Sequence, residues 1–178
     1  MNLIAALSDL CSKSARPIIT IDGPAGAGKT TLAQDLFLAL SLNQSVRVIH
    51  MDDLYDGWEN GLSESLTSTL SYIVKSHHAG ASYDISRFNW EKSEFEAPQN
   101  WNSTDLLILE GVGSGQSAIR KYVDASIWIG IDPLKGLERV INRDGEKVAH
   151  EMRRWLISQD AHFTRESTLE ESDFVLTS

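Results

Sequence analysis

Basic residues are in short supply. Lys and Arg number 16 against 25 Asp and Glu, a formal net charge of -9. A protein that coats DNA or RNA, or lies on an acidic membrane, meets a polyanion and needs the opposite excess. Those two partner classes are excluded; a small anion is not, because a few local donors decide such a contact. Cysteine is nearly absent: Cys11 stands alone, so no internal disulfide can form and nothing points to an oxidising compartment. Long apolar runs are missing as well, none approaching the roughly 20 residues of a membrane span. The opening stretch MNLIAALSDLCSKSARP lacks the basic leading region of a secretory signal, and Asp9 interrupts its apolar run. The five histidines show no ligand spacing. The expectation is a cytoplasmic protein without nucleic-acid or membrane partners, its oligomeric state unread. The 178 residues, 42% hydrophobic, suit a single domain over 1–178 that buries its own core.

Apolar periodicity alternates between the two regular kinds. Leu3, Leu7, Leu10 and Cys11 fall at helical spacing and predict a short helix over about 2–12. IITID then reads as a strand that stops at a glycine-rich turn, followed by KTTLAQDLFLAL with Leu32, Leu36 and Leu40 at helical period. VRVIHM is a second strand, ending in Asp52 and Asp53. A helical stripe runs from Leu62 through Leu66, Leu70, Ile73 and Val74 to His77, where Gly80 terminates it. The stretch 81–102 has no clear period and reads as an irregular excursion above the sheet. DLLILEGVG is a third strand, apolar throughout as burial on both faces requires. A glycine loop with a short helix, GSGQSAIRKY, leads to a fourth strand, ASIWIGID. Asp132 and Pro133 then start a helix to Arg143. A last helix carries Val148, Met152, Trp155 and Gln159 on one side, before SDFVLTS closes the set as a fifth strand. Alternating strands and helices pair in parallel through right-handed crossovers, with helices on both faces. Ligands gather at the carboxyl ends of such strands, where the glycine turn, Asp52 and Glu110 all fall.

Gly23, Gly28, Lys29 and Thr30 fit G-x-x-x-x-G-K-[ST] between a strand and a helix, as a phosphate-gripping loop demands. Glycines let successive N–H groups curl toward phosphate oxygens, and the helix start adds its positive end. The fold class is therefore α/β, a P-loop NTPase three-layer sandwich with a five-stranded parallel sheet. Gly23, Ala25, Gly26, Ala27, Gly28, Lys29, Thr30 and Thr31 are the expected ATP-binding loop. Lys29 reaches the β and γ phosphates, and the Thr30 hydroxyl faces Mg²⁺. A base-reading N-K-x-D motif and a D-x-x-G switch are both missing, which argues against a GTPase. GSGQ follows LILEG, the wrong order for a transporter ATPase.

Phosphoryl transfer to an alcohol needs a carboxylate at the hydroxyl, a held metal, and cations over the migrating group. Strand alternation lets one member of the acidic pair face the cleft, and Asp52 is chosen over Asp53 as base and metal contact. Glu110 ends a buried strand, where its charge needs compensation by a metal or water. Arg139 and Arg143 lie four apart on one helix face. Arg143, at the helix end, is chosen as the cation on the transferring group, within a lid over about 139–155. Tyr55, Tyr83 and Trp90, with Trp58 and Phe88, form an aromatic set able to stack on a flat acceptor.

The loop IDGPAGAGKTT resembles that of cytidylate kinase, but MDDLYDGW lacks the glycine and arginine pattern that holds an acceptor phosphate. The ordered set IDGPAGAGKTT, MDDLY, LILEGV, RVINRD and SDFVLTS is similar, over nearly the whole chain, to the uridine kinase family of P-loop kinases. That resemblance implies an ATP- and Mg²⁺-dependent kinase acting on a hydroxyl of a small metabolite, such as uridine. It further implies that Asp52 polarises the acceptor hydroxyl, Tyr55 lines the acceptor pocket, Glu110 supports the metal, and Arg139 and Arg143 belong to the lid. Asp53 stands where the family has a small hydroxyl residue, which marks an uncharacterised uridine-kinase-like branch. Two alternatives stay open: a nucleotide-dependent switch or assembly protein without an acceptor, and a nucleoside monophosphate kinase.

Overall fold

Alternation within one strand sorts the core into two layers. A computed structural model describes residues 3–178 of the chain. In β7 (Leu106–Glu110), Leu107 and Leu109 belong to one apolar cluster and Leu106 and Ile108 to another. All five residues of β7 and of β1 (Ile18–Asp22) are buried, so these two strands lie covered on both faces, as central parallel strands do. β7 and β1 sit in the middle of a five-stranded sheet of order β2-β7-β1-β8-β9, with β2 at Val46–His50, β8 at Ala125–Gly130 and β9 at Phe174–Thr177. Every pairing in it is parallel.

Helices α1 (Leu3–Cys11) and α2 (Lys29–Leu40) cover one face through Leu7, Ala33 and Leu36. The expected first helix thus lies at 3–11; residue 2 is outside the described residues. α4 (Glu64–His78), α5 (Pro133–Asp144) and α6 (Ala149–Glu166) cover the other face through Leu70, Val140 and Trp155. Burial of each such large apolar side chain contributes roughly 1.5–3 kcal/mol. The start of α5 is fixed as the sequence predicts: Asp132 accepts N–H bonds from Leu134 and Lys135 at 3.0 and 3.1 Å, with Pro133 in the first turn. Gly80, at φ 69, follows the end of α4.

Three elements differ from their sequence expectations. Asp52 does not extend a strand: β2 stops at His50, and Met51–Asp53 form a single 3-10 turn before the short α3 (Gly57–Asn60). The loop expected at 81–102 is an antiparallel excursion of two nested ribbons. In it β3 (Tyr83–Ile85) pairs with β6 (Gln99–Trp101), and β4 (Phe88–Asn89) pairs with β5 (Glu94–Phe95). Strands of two or three residues are too short to print a period on the sequence, and Asp84 and Asn100 are poor strand formers. The short helix expected in GSGQSAIRKY is one 3-10 turn, Arg120–Tyr122.

Candidate active site

The loop from Gly23 to Gly28 leaves β1 and enters α2 at Lys29, with Gly28 left-handed at φ 91. Gly26, at φ 79, packs against α5 so closely that a Cβ there would lie 2.4 Å from the Gly136 carbonyl oxygen. No other residue fits that approach. The Lys29 ammonium donates to the carbonyls of Gly23 and Pro24 at 2.7 and 2.8 Å. Burial pulls its pKa down, opposed by the charges of Asp22, Glu110 and Asp52.

The loop forms one wall of a cavity of about 380 Å³. Glu110, 5% exposed, stands at the end of β7 and accepts the Thr30 hydroxyl at 3.1 and 3.3 Å. Asp52 enters the same cavity because the 3-10 turn packs hard against the residue after Glu110. Gly111, at φ 128, leaves a Cβ position only 2.6 Å from the Met51 Cβ. Water reaches the Asp52 carboxylate through the cavity while protein crowds its other sides, so desolvation first, and then the Glu110 charge, raises its pKa. Lys29, Arg143 and His50 oppose the rise. Asp53 does not line the cavity.

Part of the cavity lining is aromatic. Tyr55, Trp58, Trp90 and Trp155 supply it, with ring centroids 4.9 Å apart for Tyr55 and Trp155, 5.2 Å for Trp58 and Trp90, and 6.0 Å for Trp58 and Trp155. Trp90 arrives on the ribbon and donates its indole N–H to the Asp52 carbonyl at 3.0 Å. Tyr55 donates to the Val112 carbonyl at 2.8 Å. Arg139 donates to the Gly26 carbonyl at 3.3 Å, and Arg143 makes a two-pronged pair with Asp144 at 2.7 Å. Both arginines line the cavity.

No protein-family model matches the chain, and no curated protein matches it in sequence. Solved structures do match. A possible uridine kinase from Bacillus stearothermophilus superposes with a TM-score of 0.66 at 20% identity, covering 99% of this chain and 100% of that one. A candidate fructose transport system kinase from Silicibacter sp. TM1040 gives 0.75 at 14% identity, covering 98% of each. The D-glycerate 3-kinase of Cryptococcus neoformans gives 0.59 at 11% identity, over 92% of this chain and 86% of that one. The chain has the fold of a P-loop kinase.

Most residues chosen from the sequence meet in this one cavity: Ala25, Gly26, Gly28, Lys29, Thr30, Thr31, Asp52, Tyr55, Trp90, Glu110, Arg139 and Arg143 all line it. Gly23 and Ala27 shape the loop from behind, Ala27 buried in the core on the α2 side. Tyr83 is a correction. It is fully buried in the core with its hydroxyl unpartnered, and it lies outside the cavity, because β3 turns its outer residue, Asp84, to solvent and Tyr83 inward.

Sequence reasoning gave no role to three further residues. His50 pairs with Glu110 across the β2–β7 register, its Nδ1 2.5 Å from a carboxylate oxygen, and that bond raises the histidine pKa. Two parallel strands ending together were the available signal. Trp155 reads as core on a helical stripe and only tertiary packing brings it to the cavity. Asp22, the final residue of β1, is 1% exposed, and burial pushes its pKa up to about 6 against the N–H bonds it accepts.

An acid whose pKa rises on folding holds its proton more tightly in the folded chain. The stability Asp22 adds is fully present below its unfolded pKa of 3.8 and is lost as pH rises through about 6. Across that interval the wild-type chain should lose on the order of 3 kcal/mol relative to Asp22→Asn. Denaturant titrations of both proteins at several pH values read this directly; parallel curves would refute it.

Thr30, Asp52 and Glu110 offer hard oxygen donors, the set Mg²⁺ prefers. Among the described residues no three acidic, histidine or cysteine side chains converge into a complete cage. Among the described residues no helix is long and apolar enough to cross a membrane.

Proposed function

We propose that the protein transfers a phosphoryl group from ATP to a hydroxyl of an uncharged small metabolite, a nucleoside such as uridine being the leading acceptor. The observation that carries this reading is the placement of Asp52 with Lys29, Thr30 and Glu110 in one cavity whose lining is partly aromatic. The loop amides and Lys29 bind the donor phosphates, the lysine exchanging its contacts with the Gly23 and Pro24 carbonyls for phosphate oxygens. Thr30 and Glu110, with Asp52, would hold Mg²⁺, which neutralises charge on the transferring group. Asp52 accepts the proton of the attacking hydroxyl. Arg139 and Arg143 belong to a lid over 139–155 that excludes water when it closes.

The possible uridine kinase among the structural neighbours supports a nucleoside acceptor. The cations lining the cavity, Lys29, Arg139 and Arg143, come from the loop and α5 and none from the aromatic elements. An acceptor already bearing a phosphate would need such a partner, so a monophosphate kinase is disfavoured. The test is ADP release from Mg·ATP with pooled nucleosides, sugars and hydroxy acids, against ATP alone. Stimulation by one pool supports the kinase; slow hydrolysis indifferent to every pool favours a switch protein.

Trp90→Ala should raise the acceptor KM by roughly threefold to tenfold, the worth of one aromatic contact. The KM for ATP should stay within about twofold, because Trp90 bonds to the Asp52 carbonyl and packs against the Trp58 and Phe88 rings rather than on the phosphate loop. Steady-state kinetics varying each substrate in turn separate the two, and an equal rise in both constants would contradict the assignment.

A further inference from the structure

Asp22 takes no part in the chemistry above, yet it is a buried carboxylate. Among the described residues no cation comes within salt-bridge distance of it. Its oxygens instead accept backbone N–H groups from Gly23 at 2.7 Å, Gly115 at 2.8 Å and Gly113 at 3.1 Å to each oxygen. Gly23 opens the phosphate loop. Gly113 and Gly115 belong to the turn that follows Glu110. Two more bonds stitch the same turn to β1: Ser114 donates its hydroxyl and Gly111 its N–H to the Ile21 carbonyl, both at 3.0 Å.

We infer that Asp22 is a positioning residue that sets the phosphate loop in register with the Glu110 turn, holding the two halves of the nucleotide site at one spacing before a nucleotide arrives. Above about pH 6 Asp22 is ionised, and the ionised form matches the donors around it. It offers about four acceptor sites and no donor, and charge strengthens each bond it accepts. Asparagine has the same shape but turns an amide NH₂ toward backbone donors and leaves at least one of them unpaired. An unpaired buried charge is costly, so its presence beside the loop calls for a return in function. The same negative charge favours the ammonium form of Lys29 against desolvation.

This inference rests on the nucleotide-binding half of the proposed function and is independent of the acceptor. The full chain carrying Asp22→Asn or Asp22→Ala is compared with wild type in titrations with a fluorescent ATP analogue and Mg²⁺, with melting curves for each protein. The expected result is a folded Asp22→Asn protein whose dissociation constant for the analogue rises tenfold or more, and a larger rise for Asp22→Ala. A lowered melting temperature with wild-type affinity in the folded protein would make Asp22 merely structural and overturn the inference. Should neither variant fold, amide hydrogen exchange on the nucleotide-free wild type decides. Slow exchange at Gly23, Gly113 and Gly115 marks a preformed tie, and exchange at open-loop rates refutes it. A wild-type chain that ignores the analogue removes the nucleotide-binding reading itself, a distinct result from variants that bind as well as wild type.

Discussion

Lys29→Ala is expected to abolish measurable ATP binding. The ammonium holds two charge-assisted bonds to the loop carbonyls of Gly23 and Pro24, and on nucleotide binding these donors turn to the phosphates. Two such bonds at about 2 kcal/mol each correspond to a loss of roughly 10³-fold or more in affinity. The local charge balance adds to the effect. Asp52, Glu110 and Asp144 line the cavity, and without Lys29 a polyphosphate faces three carboxylates with two arginines left, one of them paired with Asp144. Calorimetric titration with Mg·ATP measures the loss, and near-normal affinity would remove the donor side of the proposed function.

Asp52→Asn should behave differently. The amide keeps the shape of the side chain and one oxygen able to face Mg²⁺ beside Thr30 and Glu110, and the turn that carries it is held by backbone groups and by the Trp90 indole on the Asp52 carbonyl. ATP affinity should therefore stay within about twofold of wild type. Turnover should fall by about 10² or more, the usual loss when a general base is removed. The two substitutions thus separate donor binding from acceptor activation, one silencing the binding isotherm and the other leaving it intact while stopping product formation. Turnover unchanged in Asp52→Asn would reduce Asp52 to a turn residue and leave the role of base to another group.

How far the sequence foretold this arrangement depends on the range of the signal. The phosphate loop is local: a glycine pattern, a strand before it and a helix after it lie within a dozen or so residues, and each checks the others. The buried strands were equally plain, since LLILE in β7 and IITID in β1 carry apolar residues to both faces of a covered sheet. The aromatic wall was half visible. Tyr55 and Trp90 line the cavity, whereas Tyr83, the same residue type as Tyr55 and only seven positions before Trp90, faces the core. Nothing in a three-residue strand tells its two faces apart until its partner is known. Trp155 and Asp22 were hidden for the opposite reason. Each obeys its own element's pattern, a helical stripe and a strand end, and takes on a second role only through residues far away in the chain.

Gly26 and Gly136 meet backbone to backbone, and Arg139 grips the Gly26 carbonyl from the same helix. With no side chain between them, the phosphate loop and α5 lie in direct backbone contact. A side chain at either glycine would pry the loop from α5 and carry both arginines away with the helix, so the reach of these cations to the phosphate loop is set by two missing Cβ atoms.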